Sequence, residues 1–206
     1  MQWFLLSMSA TEATLIVFAY LLGSVPTGYL MGAWMGVDVR AVGSGNIGAT
    51  NVARVVGKRQ GIFTLAADAA KGLIPVFAAF QLGFAPAAAA LAGIAAFLGH
   101  LYPVFLKFRG GKGVATALGV YAGLAPMVSL VLIVIFAAVA LASRIVSLGS
   151  MAAALAAPVT FWFFSYPPPV ISLSALIASM ITMRHRGNLR RLFAGTEPRF
   201  GSISSR

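Results

Sequence analysis

The chain has 206 residues, of which 60% are hydrophobic and only 9% charged, with 15 Lys and Arg against 4 Asp and Glu and a net charge of +11. Soluble domains carry about 25% charged residues, so this chain lacks the polar surface to cover itself in water, and lipid is its natural solvent. It has no cysteine, which excludes disulfides and thiol chemistry, and it shows no DNA- or RNA-binding module to match its basic charge, which excludes nucleic acid as a partner.

Apolar runs of span length follow one another along the chain. The first covers about Glu12 to Trp34 and contains Ser24, Pro26 and Gly28, which predict a kink or close packing. Met1 to Thr11 lacks a basic leading region, so this run is predicted to be a retained span and not a cleaved signal. The second covers Gly61 to Leu82 and the third Pro86 to Leu106. A longer stretch, Val114 to Ala142, is interrupted near Gly123 and Pro126. Ile145 to Ser165 and Pro169 to Met183 complete the series. Runs of small residues, as in Ala85–Ala90 and Met151–Ala157, suit close helix approach in lipid.

Basic residues arbitrate the interrupted stretch. Arg40, Arg54, Lys58 and Arg59 lie between the first two spans, Lys107, Arg109 and Lys112 follow the third, and Arg144 follows the interrupted stretch. Arg184, Arg186, Arg190, Arg191, Arg199 and Arg206 lie at the C-terminal end. The loops Met1–Thr11, Leu82–Ala85, Ala122–Pro126 and Ser165–Pro168 contain neither Lys nor Arg. Splitting the stretch into two spans puts every basic loop on one side of the bilayer, which the positive-inside rule makes cytoplasmic. The expected fold is therefore an all-α integral membrane protein. It forms a single polytopic domain over residues 1–206, with seven transmembrane helices, the N-terminus outside and the C-terminus cytoplasmic. The fourth span, about Gly113 to Ala122, is too short to cross straight and is expected to thin the bilayer or sit inside the bundle.

Three polar constellations fall on the cytoplasmic side. After the first span, Arg40 to Arg54 contains Gly43, Gly45 and Gly48 in a G-x-G-x-x-G pattern. A dinucleotide site needs a preceding strand, and a membrane helix precedes this one. The physics of the motif still applies: glycines let backbone N–H groups converge on an anion, and a following helix N-terminus adds positive potential. In a helix starting near Ile47, Asn51, Arg54 and Lys58 would share a face. The plain alternative is a polar turn with a snorkelling arginine.

The second constellation, Arg109-Gly110-Gly111-Lys112-Gly113, reads as a flexible cationic anion cradle. It is not a Walker A loop, because Gly113 stands where Ser or Thr would follow the lysine. His100, in the preceding apolar run, is by itself more simply a satisfied buried polar residue. The third constellation opens the C-terminal tail at His185, which shares a face with Asn188 if the last helix continues. Taken alone it also reads as a basic membrane-surface tail. Inside the second span, Asp68 and Lys71 are spaced to pair, as a structural or a functional pair. These loops are rich in Asn, Ser, Arg and Lys and nearly free of carboxylates, which fits a phosphorylated substrate and poorly fits a divalent metal.

The segments GSVPTGYL from Gly23, GSGNIGATNVAR from Gly43, DAAKG from Asp68, GHLYPVFLKFRGGKGVAT from Gly99 and HRGNLRRLFAGTE from His185 run through nearly the whole chain. In this order they resemble the bacterial acyl-phosphate-dependent glycerol-3-phosphate acyltransferases. The resemblance implies an enzyme that moves an acyl group from acyl phosphate to the sn-1 hydroxyl of glycerol 3-phosphate, giving lysophosphatidic acid and phosphate, the first step of membrane phospholipid synthesis. It implies a bacterial inner-membrane location, an active site facing the cytoplasm, and a functional link to a soluble acyl-phosphate-forming enzyme. No cofactor or metal is implied, and a monomer is expected. By motif position the resemblance makes Ser44, Arg54, Lys112, His185, Asn188 and Glu197 the candidate catalytic residues. Gly43, Gly45, Asn46, Thr50, Asn51, Lys107, Arg109, Gly110, Gly111, Gly113 and Thr116 are the candidate substrate and phosphate ligands. Asp68, Lys71 and His100 are further candidates. Glu197 would hold loops together or contact the glycerol backbone, and either His185 or the leaving phosphate would accept the proton. The H-x-x-x-x-D motif of soluble-headed acyltransferases is absent, since Phe105 follows His100 and Arg190 follows His185 at that position. The alternative function is a transporter for a phosphorylated small molecule, which would place ionisable residues near the midplane of several spans.

Overall fold

In a computed structural model, residues 8–201 are described. The expected outer loop Met1–Thr11 therefore lies outside them as far as Ser7, and so does the basic Arg206. Among the described residues the chain is all-helical, with no strand. It falls into two compact units that divide between Leu124 and Ala125.

The first unit contains α1 (Ala10–Ser24), α2 (Thr27–Trp34), α3 (Ala49–Val55), α4 (Lys58–Gln81), α5 (Pro86–Leu101) and α6 (Val114–Leu124). A capping box starts α1: Ser9 Oγ accepts from the Glu12 N–H, and the Glu12 carboxylate accepts from the Ser9 N–H at 2.8 Å. Proline has no N–H to continue the helical ladder, so α1 stops before Pro26 and the chain re-enters a helix at Thr27. This is the kink expected from Ser24 and Pro26. Pro86 occupies the first turn of α5, where its missing N–H costs nothing.

Small residues set the packing of this unit. A Cβ on Gly23 would strike the Ala96 backbone, and one on Gly99 would strike Tyr20, so α1 and α5 meet backbone to backbone. Gly72 against Thr116 and Gly119 against Ala69 do the same for α4 and α6. Between helices in lipid there is no hydrophobic driving force, and such close contact supplies the dispersion and dipole terms that replace it. The Tyr20 hydroxyl fastens the far end of this contact by donating to the Tyr102 carbonyl at 2.8 Å.

The second unit contains α7 (Pro126–Ser143), α8 (Val146–Phe163), α9 (Pro168–Arg184) and the short α10 (Arg186–Phe193). Within it α8 packs against both α7 and α9. Pro126 and Pro168 again open helices.

Among the described residues, five helical segments are long and apolar enough to cross a membrane: Ala10–Trp34, Lys58–Gln81, Pro86–Leu106, Pro126–Ser143 and Val146–Phe163. Two shorter apolar helices accompany them, Val114–Leu124 and Pro168–Arg184. At 1.5 Å per residue the 11 residues of α6 reach about 16 Å, half the hydrocarbon thickness, as the short fourth run suggested. The break in the interrupted stretch falls at Ala125, so two helices stand where a single kinked span was the rival reading. Span starts moved: α4 begins at Lys58 and not near Gly61, which puts Lys58 and Arg59 in its first turn.

Candidate active site

The first constellation folds as a loop wrapped around one side chain. Asn51, in α3, is buried, and its amide oxygen and both amide protons bond inside the loop. Its Oδ1 accepts from the Ser44 N–H at 2.8 Å, while Nδ2 donates to the carbonyls of Val39 at 2.9 Å and Val42 at 3.2 Å. Gly43 and Gly45 take left-handed backbone at φ +64 and +68, and a Cβ at Gly43 would collide with Asn51 Oδ1. Asn46 Oδ1 accepts from the Gly48 N–H at 2.8 Å and turns the chain into α3. Beneath lies a small apolar core of Val39, Ile47 and Val52, with Tyr29, Val55 and Leu106 packed on it.

This corrects the expected shared face of Asn51, Arg54 and Lys58. The short α3 ends at Val55, and Gly57 separates Lys58 into the next helix. Asn51 turns inward and organises the loop, whereas Ser44, Thr50 and Arg54 are exposed. Among the described residues the Arg54 side chain has no hydrogen-bond or ion-pair partner. Arg40 differs: it pairs with Asp38 at 2.9 Å and its guanidinium stacks over the Tyr29 ring at 4.4 Å. Its hydrogen bonds hold the Asp38 carboxyl below the ordinary aspartate value.

The second constellation runs back across the end of α5. The Gly110 N–H donates to the Leu101 carbonyl and the Gly111 N–H to the His100 carbonyl, each at 3.1 Å. A Cβ at Gly110 would strike the His100 carbonyl, one at Gly111 the His100 Nε2, and one at Gly113 the Phe97 ring. The sequence reading gave these glycines one reason, backbone approach to phosphate. The structure adds another, close seating on the end of α5, and two of their N–H groups serve it. Lys112, half-buried, stands between Gly111 and Gly113, just before α6 begins at Val114. Lys107 and Phe108 take left-handed backbone at φ 51 and 61, and Lys107 and Arg109 are exposed. Thr116 is fully buried, in the first turn of α6, and its Oγ1 has no hydrogen-bond partner among the described residues.

Behind this segment Asp68 and Lys71 form a buried ion pair at 2.7 Å. Lys71 Nζ also donates to the Val25 carbonyl, at the α1–α2 break, at 2.8 Å, and lies 3.3 Å from Nδ1 of buried His100. Removing either charge alone would leave the other buried and uncompensated, at a cost of about 3–5 kcal/mol.

In the second unit, His185 lies between α9 and α10. The helix breaks at this residue, so the condition on which His185 and Asn188 would share one helical face is not met. His185 and Asn188 are nonetheless both buried, at 2% and 6% exposure. His185 Nδ1 is 2.8 Å from the Ile181 carbonyl oxygen. A carbonyl only accepts, so in the neutral ring Nδ1 carries the proton and Nε2 keeps the lone pair. Glu197 gathers three groups. Oε1 accepts from Ser147 Oγ at 2.6 Å and from Asn188 Nδ2, and Oε2 accepts from Arg191 Nε at 2.7 Å. Burial opposes its charge, but those three hydrogen bonds outweigh it and hold the carboxyl below the ordinary glutamate value. Sequence reading missed Ser147 and Arg191. Ser147 lies 50 positions from Glu197, with no motif to mark it.

Fold and site together define a multi-pass helical membrane protein whose connections carry cationic, glycine-shaped, carboxylate-poor surfaces, the class suited to acyl or phosphoryl chemistry on anionic substrates at a membrane. A sequence model of the glycerol-3-phosphate acyltransferase family matches residues 13–195. The chain belongs to that family and is an acyltransferase. It is 56% identical to the glycerol-3-phosphate acyltransferase of Geobacter metallireducens over 92% of this chain and 97% of the relative. It is 49% identical to that of Trichlorobacter lovleyi over 90% and 95%. Among solved structures it is similar to PlsY (YgiH), an integral membrane glycerol 3-phosphate acyltransferase. The glycerol 3-phosphate form has a TM-score of 0.90 and 42% identity, covering 93% of this chain and 96% of that one. The lysophosphatidic acid form has a TM-score of 0.87 and 41% identity, with the same coverage.

Proposed function

We propose that the protein transfers an acyl group from acyl phosphate to the sn-1 hydroxyl of glycerol 3-phosphate, releasing lysophosphatidic acid and phosphate as the first step of membrane phospholipid synthesis. The observation that carries this reading is the near full-length likeness to a structure known in substrate and product forms, joined to two cationic glycine-rich segments. The hydroxyl oxygen attacks the acyl carbon, a new C–O ester bond forms, and the C–O bond to phosphate breaks. Acyl phosphate is a mixed anhydride and already activated, so no covalent enzyme intermediate is needed. The hydroxyl proton leaves on the departing phosphate, with buried His185 and its neighbour Asn188 orienting substrate. Arg54, Lys112 and Ser44 bind phosphate oxygens and lower the barrier by proximity and by compensating developing negative charge. The remaining motif residues are proposed to shape these two loops.

Purified protein in detergent, offered acyl phosphate, acyl-CoA and acyl carrier protein as competing donors, is expected to turn over acyl phosphate alone. Equal turnover of acyl-CoA would replace the donor assignment. The transporter alternative predicts substrate flux in proteoliposomes without turnover in detergent.

We also propose seven spans, in one polytopic domain of the bacterial inner membrane, with the C-terminus and the motif loops cytoplasmic. The donor arrives from a soluble acyl-phosphate-forming enzyme, and the protein works as a monomer. Basic residues flank only one set of helix ends, which supports this orientation. Cysteine labels at Leu82 and Pro168 are expected to react from outside the cell, as is the expected N-terminal position Ser7. Labels at Ser44, Lys112 and Gly195 are expected to react only after permeabilisation. Labelling of Gly195 in intact cells refutes the orientation.

A further inference from the structure

We infer that the segment Tyr102–Arg109 is a membrane-binding loop, seated in the headgroup layer with Val104, Phe105 and Phe108 among the acyl chains and Lys107 and Arg109 on the phosphates of anionic lipid. The segment is closed on itself by hydrogen bonds. Its ends meet where the Gly110 N–H donates to the Leu101 carbonyl at 3.1 Å. Inside it the Pro103 carbonyl accepts from the N–H groups of Leu106 at 3.1 Å and Phe108 at 2.9 Å. Tyr20 in α1 holds the first residue through its hydrogen bond to the Tyr102 carbonyl. Pro103 is buried, and Leu106 packs on the apolar core of Val39, Ile47 and Val52, which fixes the side that faces the protein.

The other side is apolar and uncovered. Phe105 is 60% exposed, Phe108 59%, Val104 41% and Tyr102 38%. A contiguous patch of this kind marks a surface that a partner covers. Lys107 and Phe108 are also consecutive left-handed residues, at φ 51 and 61, a backbone that bulky side chains rarely adopt. Such strain gathers where a protein meets something outside itself, and here the strained residues are the exposed ones.

Lipid is the partner that fits. The loop follows directly on α5, and Pro86–Leu106 is one apolar segment long enough to cross a bilayer, so its last residues stand at the membrane boundary. Lys107 and Arg109, both exposed, alternate with the aromatic residues. Cations beside aromatic and aliphatic side chains suit an anionic headgroup layer over acyl chains. The chain has no Asp or Glu between Asp68 and Glu197, so no carboxylate in this stretch opposes an anionic surface. The inference goes beyond the acyl-transfer reading and does not depend on it. Gly110 both closes the loop and opens the segment 110–113, so lipid contact would hold that segment at the membrane surface.

The chain has no cysteine, so F105C and F108C each carry a single nitroxide label in the full-length protein, reconstituted in vesicles of phosphatidylcholine and phosphatidylglycerol. F77C, exposed on the membrane-crossing α4, is the lipid reference. Oxygen is expected to reach the labels at 105 and 108 more readily than a water-soluble nickel chelate does, as at 77. The reverse preference at either position puts the loop in water, leaves the patch to a soluble partner and overturns the inference. Spin–spin broadening at either position puts a second copy of the chain over the patch and overturns it as well. The cations are tested with a fluorophore on F108C. Phosphatidylglycerol carrying a nitroxide chain is expected to quench it about threefold more strongly than matching phosphatidylcholine, and K107Q/R109Q is expected to abolish that difference. Equal quenching by the two lipids, or a difference that survives K107Q/R109Q, overturns the assignment of these residues to anionic headgroups.

Discussion

Arg54→Lys is expected to lower kcat/KM by roughly tenfold or more, a loss of about 1.4 kcal/mol or greater in transition-state stabilisation, and Arg54→Ala is expected to be near inactive. The guanidinium is exposed on α3 and has no hydrogen-bond or ion-pair partner among the described residues, so it is not consumed in holding the fold. Around it the structure is stiff: Asn51 ties Val39, Val42 and Ser44 to α3 on the buried side of the same short helix. A fixed loop with an uncommitted arginine is what bidentate phosphate binding requires, because the planar fork donates two parallel hydrogen bonds only when its base is held. Lysine keeps the charge and loses the fork. An arginine that merely snorkels to the headgroups would be replaced by lysine without effect. Steady-state kinetics on the purified lysine variant, with unfolding behaviour matching the parent protein, separate the two. A silent Arg54→Lys removes Arg54 from the phosphate site.

The parts of this architecture that depend on composition and periodicity were legible in the chain itself. Pro26 announced the break after α1, and the Lys- and Arg-free turn at Ala122–Pro126 separated α6 from α7. What a side chain faces was not legible. Asn51 and Arg54 stand three apart in a short polar helix, and spacing alone put them on one face. Burial of Val39, Ile47 and Val52 sets which side turns inward, and Asn51 goes with them. Gly110, Gly111 and Gly113 said that room was needed, without saying for what. Part of the answer is the end of α5, where His100 and Phe97 fill the space a side chain would take. Asp68 and Lys71 were readable as a pair from their i, i+3 spacing. The third partner of Lys71, 29 positions away on α5, was not.

Glu197→Ala is expected to carry the largest cost in the second unit, about 3 kcal/mol of stability, together with a fall in kcat. It removes the acceptor for three donors at once: Ser147 Oγ, Asn188 Nδ2 and Arg191 Nε. Hydrogen bonds to a charged group contribute about 1.5–3 kcal/mol each, and they are not additive here because the donors can turn partly to water. Activity falls because Asn188, proposed to orient substrate, loses the contact that fixes its amide. Glu197→Gln divides the effect. Its amide oxygen still accepts from Ser147 and Asn188, while its NH2 faces Arg191 and can accept nothing. The glutamine variant is therefore expected to lose about 1–2 kcal/mol and to keep most of its turnover. The same contacts set a pH limit. The folded carboxyl titrates below its unfolded value, so its contribution is complete above the ordinary glutamate range of about 4.3 and is lost as pH falls through the lower folded value. Thermal unfolding of the detergent-solubilised protein should thus show a downturn at acid pH that Glu197→Ala lacks. An alanine variant as stable and as active as the parent protein would show that the cluster of Ser147, Asn188, Arg191 and Glu197 neither holds this unit together nor orients Asn188.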